Sequence, residues 1–211
     1  VTQVREALGK AGIPTGYLEL RGDALVCRMR QRGCNIMLQS GCSHLLWWDG
    51  DIECLTPECV KDMIETGHGV IAGAVPFKND SKAVVCNLYP DDVLSLRSGG
   101  TLTIEGGCVP VKEAGSGFML IRRDALYRMQ TAHPELLHFS LSKSDFGEPL
   151  WALFDTKVID QVYLSEDYYF CHLWRALGEL VYVYEPARFK HYGTHGFEGS
   201  LREQYGLQSA T

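Results

Sequence analysis

Residues 44–52 read HLLWWDGDI, an apolar run that ends in two aspartates separated by one glycine. A continuous apolar run of this length is typical of a strand that is buried on both faces of a sheet. Residues 56–58 (Thr-Pro-Glu) predict the start of a helix, because proline is favoured at the first helical position. The next apolar run, VIAGAV at 70–75, predicts a second buried strand.

The rest of the chain continues this alternation of helices and strands. Helical patterns at 1–11, 24–39 and 166–177 are separated by apolar, strand-like runs, among them 117–123 and 180–184. Alternation of this kind implies crossover connections between parallel strands. We therefore expect an α/β fold with a Rossmann-like, mostly parallel central sheet flanked by helices, and a few antiparallel strands in the second half.

Composition excludes several classes of protein. The chain has 211 residues, 45% of them apolar, and a formal net charge of −6. This apolar content argues against a disordered chain, and the acidic balance argues against a basic nucleic-acid-binding module. No apolar run approaches the roughly 20 residues that a membrane-spanning helix requires. We expect one globular domain with neither a nucleic-acid partner nor a transmembrane segment.

The cysteines indicate the compartment. The sequence contains 8 cysteines, none of them in a C-x-x-C pair. Several occupy positions suited to a small buried apolar residue, such as Cys86 beside Val84 and Val85. Together with the absence of a signal-peptide pattern at the first residues, this predicts reduced thiols in a cytoplasmic protein. A zinc protein that uses some of the cysteines and histidines is an alternative.

The tripeptide Asp49-Gly50-Asp51 is a candidate metal site. Two carboxylates at the carboxyl end of a buried strand can converge on one hard cation such as Mg²⁺ or Mn²⁺, which commonly shares its ligands with phosphates. The same tripeptide also suits a simple turn, because the Asp side chain bonds well to nearby backbone. The residues alone leave both interpretations open.

Four stretches in order give the chain a family resemblance. They are 24–78, AGSGFMLIRRDAL at 114–126, LSEDYYFCHLWRALG at 164–178 and FKHYGTHGFEG at 189–199. Together they resemble the GT-A fold glycosyltransferases that use nucleoside-diphosphate sugars, especially small single-domain members from phages, large viruses and bacteria. The resemblance implies a single domain over 1–211, with a nucleotide-binding half at 1–75 and a half for the donor sugar and acceptor at 76–211.

The resemblance also implies a donor site. It assigns Mn²⁺ or Mg²⁺ to Asp49, Asp51 and His191, with His195 as a competitor for the last position. The donor-binding residues that it implies are Arg28, Arg30, Asp49, Lys78, Gly115, Ser116 and Gly117. A UDP-sugar is favoured as the donor, with a GDP-sugar as the alternative.

A second set of residues is assigned to the acceptor, which is a glycan, a protein or a small molecule. The resemblance makes Asp167 the general base of an inverting transfer, and Glu166 a residue that binds the acceptor or tunes its partner. A helix N-terminus at this point stabilises an ionised carboxylate, as a proton acceptor requires. Trp151, which borders the polar loop at 139–150, is a candidate platform for the acceptor. A retaining transferase, a non-catalytic nucleotide-sugar-binding protein on the same fold and a nucleotidyltransferase are the alternatives. The loops at 79–100 and 139–165 are expected to determine specificity.

Overall fold

A computed structural model describes residues 1–141 and 147–206, so the expected loop at 139–150 lies partly outside the described residues. The helices are α1 (Thr2–Lys10), α2 (Val26–Gln39), α3 (Cys59–Glu65), α4 (Pro90–Arg97), α5 (Arg123–Ala132), α6 (Glu166–Ala176) and α7 (Leu201–Tyr205), with a 3₁₀ turn at Pro134–Leu136. Within the described ranges, no helix combines the length and the apolar character needed to cross a bilayer.

The strands are short. They are β1 (His44–Trp48), β2 (Ile52–Cys54), β3 (Val70–Gly73), β4 (Cys86–Asn87), β5 (Cys108–Val111), β6 (Glu113–Ala114), β7 (Phe118–Arg122), β8 (Leu137–Phe139), β9 (Pro149–Trp151), β10 (Lys157–Ile159), β11 (Val162–Leu164), β12 (Val181–Tyr184), β13 (Phe189–Tyr192) and β14 (Gly196–Gly199). The strands predicted from the runs at 44–48 and 70–75 are thus confirmed as β1 and β3, and the helix predicted after Thr56 is α3.

The central sheet has the strand order β1-β7-β3-β12-β5. In it β12 runs parallel to β3, whereas β5 runs antiparallel to β12. The smaller sheets β14-β13-β2, β10-β11, β4-β6 and β8-β9 are antiparallel. The expected mostly parallel central sheet is therefore wrong: among the strand pairs whose register the described residues give, only β3–β12 is parallel.

The error has a physical reason. An apolar run identifies a strand that is buried on both faces, but it carries no information on which strand will lie beside it. The register of β12 and β5 joins Val181 to Val111 and Tyr184 to Cys108, so segments far apart in the chain fix the direction. Helix-strand alternation favours parallel pairing only where a strand pairs with the next strand after a crossover.

The chain forms two compact units. The first contains Val1–Gly16, Leu46–Leu120 and the chain from Leu180 onward, and the second contains Tyr17–Leu45 and Ile121–Glu179.

Aromatic rings organise the core of the first unit. The ring of Phe118 lies 5.0 Å from that of Trp48, in a T-shaped contact, and 4.6 Å from that of Phe189. Gly73 on β3 allows this packing, because a Cβ at this position would overlap the Phe189 ring. The contacts anchor β13, the strand that Phe189 begins, against the buried face of the sheet.

Helix ends and stacked rings organise the second unit. The guanidinium of Arg123, at the start of α5, donates to the carbonyls of Leu38 (2.8 Å) and Met37 (2.9 Å) near the end of α2. Both carbonyls belong to the last turn of α2, where intrahelical donors run out, and Met37 also accepts from the N–H of Ser40 (3.1 Å). The arginine therefore helps to satisfy the end of α2. Phe154 and Phe170 stack with their ring centroids 4.3 Å apart and are fully buried.

Candidate functional site

The turn between β1 and β2 carries the two aspartates. The backbone N–H of Asp49 donates to the carbonyl of Gly117 (2.8 Å), and the N–H of Ile52 donates back to the carbonyl of Asp49 (3.1 Å). The indole N–H of Trp48 donates to the Ile52 carbonyl at 2.7 Å. These bonds involve residues that precede and follow Gly50 in the chain, and they fix the path of the tight turn.

Gly117 lies directly against this turn. A Cβ at position 117 would lie 2.7 Å from Cδ1 of Ile52 and 3.3 Å from Oδ2 of Asp49. The absence of a side chain therefore gives the Asp49 carboxylate its space. The other two residues of the predicted donor turn are also held in place. Gly115 donates its N–H to the Val85 carbonyl (2.9 Å), and Ser116 is buried.

Asp51 and His191 come together from distant parts of the sequence. Strands β2 and β13 pair so that His191 lies opposite Ile52, and the N–H of Tyr192 donates to the Asp51 carbonyl at 2.8 Å. This pairing leaves Nε2 of His191 at 3.5 Å from Oδ1 of Asp51. The sheet β14-β13-β2 thus positions one carboxylate and one imidazole as neighbours.

A backbone carbonyl orients the imidazole. Nδ1 of His191 lies 2.8 Å from the carbonyl oxygen of Pro76. A carbonyl only accepts hydrogen bonds, so Nδ1 carries the hydrogen, and in the neutral ring Nε2 then carries the lone pair. Pro76 gave no sequence signal for this role, because any residue supplies a backbone carbonyl.

Lys78 makes the third contact of the group. Its Nζ atom lies 2.5 Å from Oδ2 of Asp51, and the two side chains are 41% and 43% exposed. Partial burial raises the pKa of the Asp51 carboxyl, but the hydrogen bond and charge of Lys78, together with His191, outweigh this effect. The net pKa of Asp51 is therefore below its ordinary value, and the carboxylate is ionised at neutral pH.

These residues fit a divalent cation with an open coordination sphere. A carboxylate oxygen and an imidazole nitrogen that carries a lone pair are ligands that Mn²⁺ accepts. Among residues 1–141 and 147–206, no three His, Cys, Asp or Glu side chains are grouped as metal ligands. Asp51 and His191 would therefore supply two positions, and water or phosphate oxygens would supply the others.

His195, the competing histidine, has a different environment. Its ring lies 4.0 Å from that of Phe197, and its Nε2 atom is 3.9 Å from Oδ1 of Asp80. Asp80 is almost fully exposed, and most of the His195 side chain is also exposed. No described contact links His195 to Asp51.

The predicted acceptor residues lie in the second unit. Asp167 is in the first turn of α6, where its carboxylate accepts hydrogen bonds from the hydroxyl of Ser165 and from the N–H of Tyr168 (2.8 Å). Glu166 begins the same helix, and partly buried Trp151 ends β9. These bonds hold the Asp167 carboxylate in a defined orientation.

The two predicted phosphate-binding arginines also lie in the second unit, on α2. Arg28 forms a bidentate pair with Asp23, with both N–O distances at 2.6 Å. Arg30 is buried, with 5% of its surface exposed. A phosphate that binds Arg28 must therefore share or replace Asp23.

Comparison with known proteins gives a likeness in fold. No protein-family model and no curated protein matches the chain. Among solved structures, the crystal structure of A197 from STIV, a viral protein, is similar, with a TM-score of 0.54 and 16% sequence identity. The match covers 99% of this chain and 88% of A197. At this level of identity the likeness concerns the fold alone.

Proposed function

We propose that this protein is a metal-dependent glycosyltransferase that moves a sugar from a nucleoside-diphosphate sugar to a hydroxyl group of an acceptor. The family resemblance of the sequence supports this proposal. The observation that carries it is the grouping of His191 and Lys78 on the two oxygens of Asp51, at 3.5 and 2.5 Å. A carboxylate, an imidazole and an ammonium group at one point suit the joint recognition of a cation and a diphosphate.

In the proposed donor site, Asp51 and His191 would hold Mn²⁺ or Mg²⁺, which would supply positive charge to neutralise the diphosphate leaving group. Lys78, released from Asp51, binds a phosphate oxygen as a compact positive charge. Asp49 and the turn Gly115–Gly117 complete the part of the donor site that lies in the first unit. Arg28 and Arg30, in the second unit, remain proposed phosphate-binding residues on the family resemblance alone, and a UDP-sugar is the favoured donor.

Asp167 is the proposed general base. Its carboxylate takes the proton of the acceptor hydroxyl while the hydroxyl oxygen attacks the anomeric carbon, and the bond from that carbon to the diphosphate breaks with inversion. The hydrogen bonds from Ser165 and Tyr168 hold the carboxylate in position. Glu166 and Trp151 bind the acceptor, Glu166 through hydrogen bonds to hydroxyl groups and Trp151 through contact with its indole face.

Donor binding is the first test of the proposal. We expect one of the UDP-, GDP- and dTDP-sugars to raise the midpoint of thermal unfolding, and to do so only when Mn²⁺ is present. Release of the free nucleoside diphosphate, measured with the same donor and candidate acceptors, reports transfer. If no donor stabilises the protein in the presence of Mn²⁺, the proposal is wrong.

Two aspartate variants then separate transfer from binding. Asp167→Asn should lower the transfer rate by at least about 100-fold, because the proton acceptor is lost, while donor binding is retained. Asp160→Asn is the matched control: Asp160 is exposed and has a φ of 49°, a conformation that asparagine also adopts. A non-catalytic nucleotide-sugar-binding protein would instead show donor-dependent stabilisation and no diphosphate release from the unaltered protein.

A further inference from the structure

Two cysteine sulfurs of the first unit are in contact. The Sγ atoms of Cys54 and Cys59 lie 3.6 Å apart, and the Cys54 thiol also lies 3.4 Å from the carbonyl oxygen of Thr56. Cys54 is the last residue of β2, and Cys59 is the first residue of α3. The two residues are 5% and 3% exposed, and the surface loop 55–58 joins the two elements.

The contact shifts the pKa values of the two thiols in opposite directions. Its hydrogen bond lowers the pKa of the Cys54 thiol in spite of burial, because the Cys59 S–H stabilises a neighbouring thiolate. The same contact, together with burial, raises the pKa of Cys59. Cys54 is therefore the sulfur that ionises first, and a thiolate is the form that reacts with an oxidant.

We propose that Cys54 and Cys59 are a site of oxidative modification, at which a hydroperoxide converts the two thiols into an intramolecular disulfide. The Cys54 thiolate attacks one oxygen of hydrogen peroxide, the O–O bond breaks, and Cys54 becomes a sulfenic acid as one water is released. The sulfur of Cys59 then attacks the Cys54 sulfur, expels the oxygen as a second water and closes the S–S bond. Two thiols lose two electrons and two hydrogens, and one peroxide is reduced to two waters.

Neither cysteine is among the residues assigned to the donor or the acceptor, so the proposal does not rest on the proposed transferase activity. The bond would join the end of β2 to the start of α3, and its formation brings the two sulfurs from 3.6 Å to an S–S bond length of about 2.05 Å. Peroxide is the appropriate probe, because it is small enough to reach the thiols of residues that are almost fully buried.

Peptide mapping tests the proposal directly. The reduced protein is treated with hydrogen peroxide, unfolded, alkylated with iodoacetamide and digested with trypsin and a glutamate-specific protease. Cleavage after Glu53, Glu58 and Lys61 places the two cysteines on separate peptides, Cys54–Glu58 and Cys59–Lys61, while Cys34 and Cys42 fall on another. We expect the two short peptides as one linked species, which separates after treatment with dithiothreitol.

Matched variants complete the experiment. Cys59→Ser should lose the linked species, whereas Cys86→Ser, which removes another buried thiol of the same unit, should keep it. The map of the unaltered protein decides the question even if Cys59→Ser does not fold. Recovery of both cysteines with the alkyl label, or of Cys54 as a sulfinic acid, after peroxide treatment would overturn the proposal.

Discussion

The Nζ atom of Lys78 lies 2.5 Å from Oδ2 of Asp51, on the carboxylate whose other oxygen faces Nε2 of His191. An ammonium group thus holds one of the two oxygens that Asp51 can offer to a divalent cation. Because both partners of this pair are partly exposed, water screens their attraction and the lysine can exchange partners. At the proposed metal site, Lys78 is therefore expected to compete with the cation when no donor is bound.

Replacement of Lys78 by methionine tests this competition. We expect Lys78→Met to raise the affinity for Mn²⁺ in the absence of a donor by up to about fivefold, which corresponds to the roughly 1 kcal/mol of a strong exposed ion pair. Isothermal titration calorimetry with MnCl₂ measures the change. Lys61→Met removes a lysine that pairs with Glu65 on α3, and should leave the affinity unchanged. Equal or weaker binding by Lys78→Met would contradict the competition.

The histidines His191 and His195 give a second prediction on the proposed metal site. Of His191 and His195, the former has its ring oriented by the backbone carbonyl of Pro76, with Nε2 facing Asp51. We expect His191→Gln to weaken Mn²⁺ binding at least about tenfold, because an oriented nitrogen ligand is lost. His195→Gln is the matched control and should bind Mn²⁺ like the unaltered protein. The reverse pattern would transfer the ligand role to His195.

The low pKa of Asp51 makes a contribution to stability that depends on pH. Burial raises this pKa, but Lys78 and His191 together lower it by more. The pKa in the folded protein is therefore below the unfolded value of about 3.9. The contribution is therefore fully present above about pH 4 and is lost as the pH falls through the folded pKa.

Urea unfolding at two pH values measures this contribution. We expect Asp51→Asn to be less stable than the unaltered protein at pH about 6, by less than about 1 kcal/mol because the pair is exposed. Toward pH about 2 the difference should shrink, since protonation makes Asp51 neutral like asparagine. Lys78→Met should show most of the same loss of stability at pH about 6, because it removes the ion-pair partner of Asp51. A gap that stays the same at both pH values would show that the ion pair is not its source.

Local signals in the sequence predicted the elements that carry the site. The apolar run before Asp49 predicted β1, and Thr56-Pro57 predicted the helix that follows, because both patterns depend on neighbours in the chain. The environment of Asp51 could not be predicted in the same way. It depends on long-range contacts, because Lys78 lies 27 residues from Asp51 in the chain and Pro76 lies 115 residues from His191.

The direction of the sheet strands escaped prediction for the same reason. Tyr182 on β12 lies opposite Ile71 of a parallel neighbour and Pro110 of an antiparallel one. Its apolar, alternating sequence is compatible with either direction, since both place side chains on alternate faces. The direction of pairing is determined by long-range packing within the first unit.

The close approach of Gly117 to the aspartate turn gives a prediction on stability. In Gly117→Ala the new Cβ would lie 2.7 Å from Cδ1 of Ile52, so this buried side chain must leave its preferred rotamer, at a cost of about 0.5–1.5 kcal/mol. Gly50→Ala is the matched control in the same turn, because no atom lies within 4 Å of the added Cβ and the φ of Gly50 is one that alanine can adopt. Urea unfolding should show a clear loss of stability for Gly117→Ala and little change for Gly50→Ala. Since the added carbon would also lie 3.3 Å from Oδ2 of Asp49, equal stability of the two variants would mean that Gly117 does not control the space beside this carboxylate.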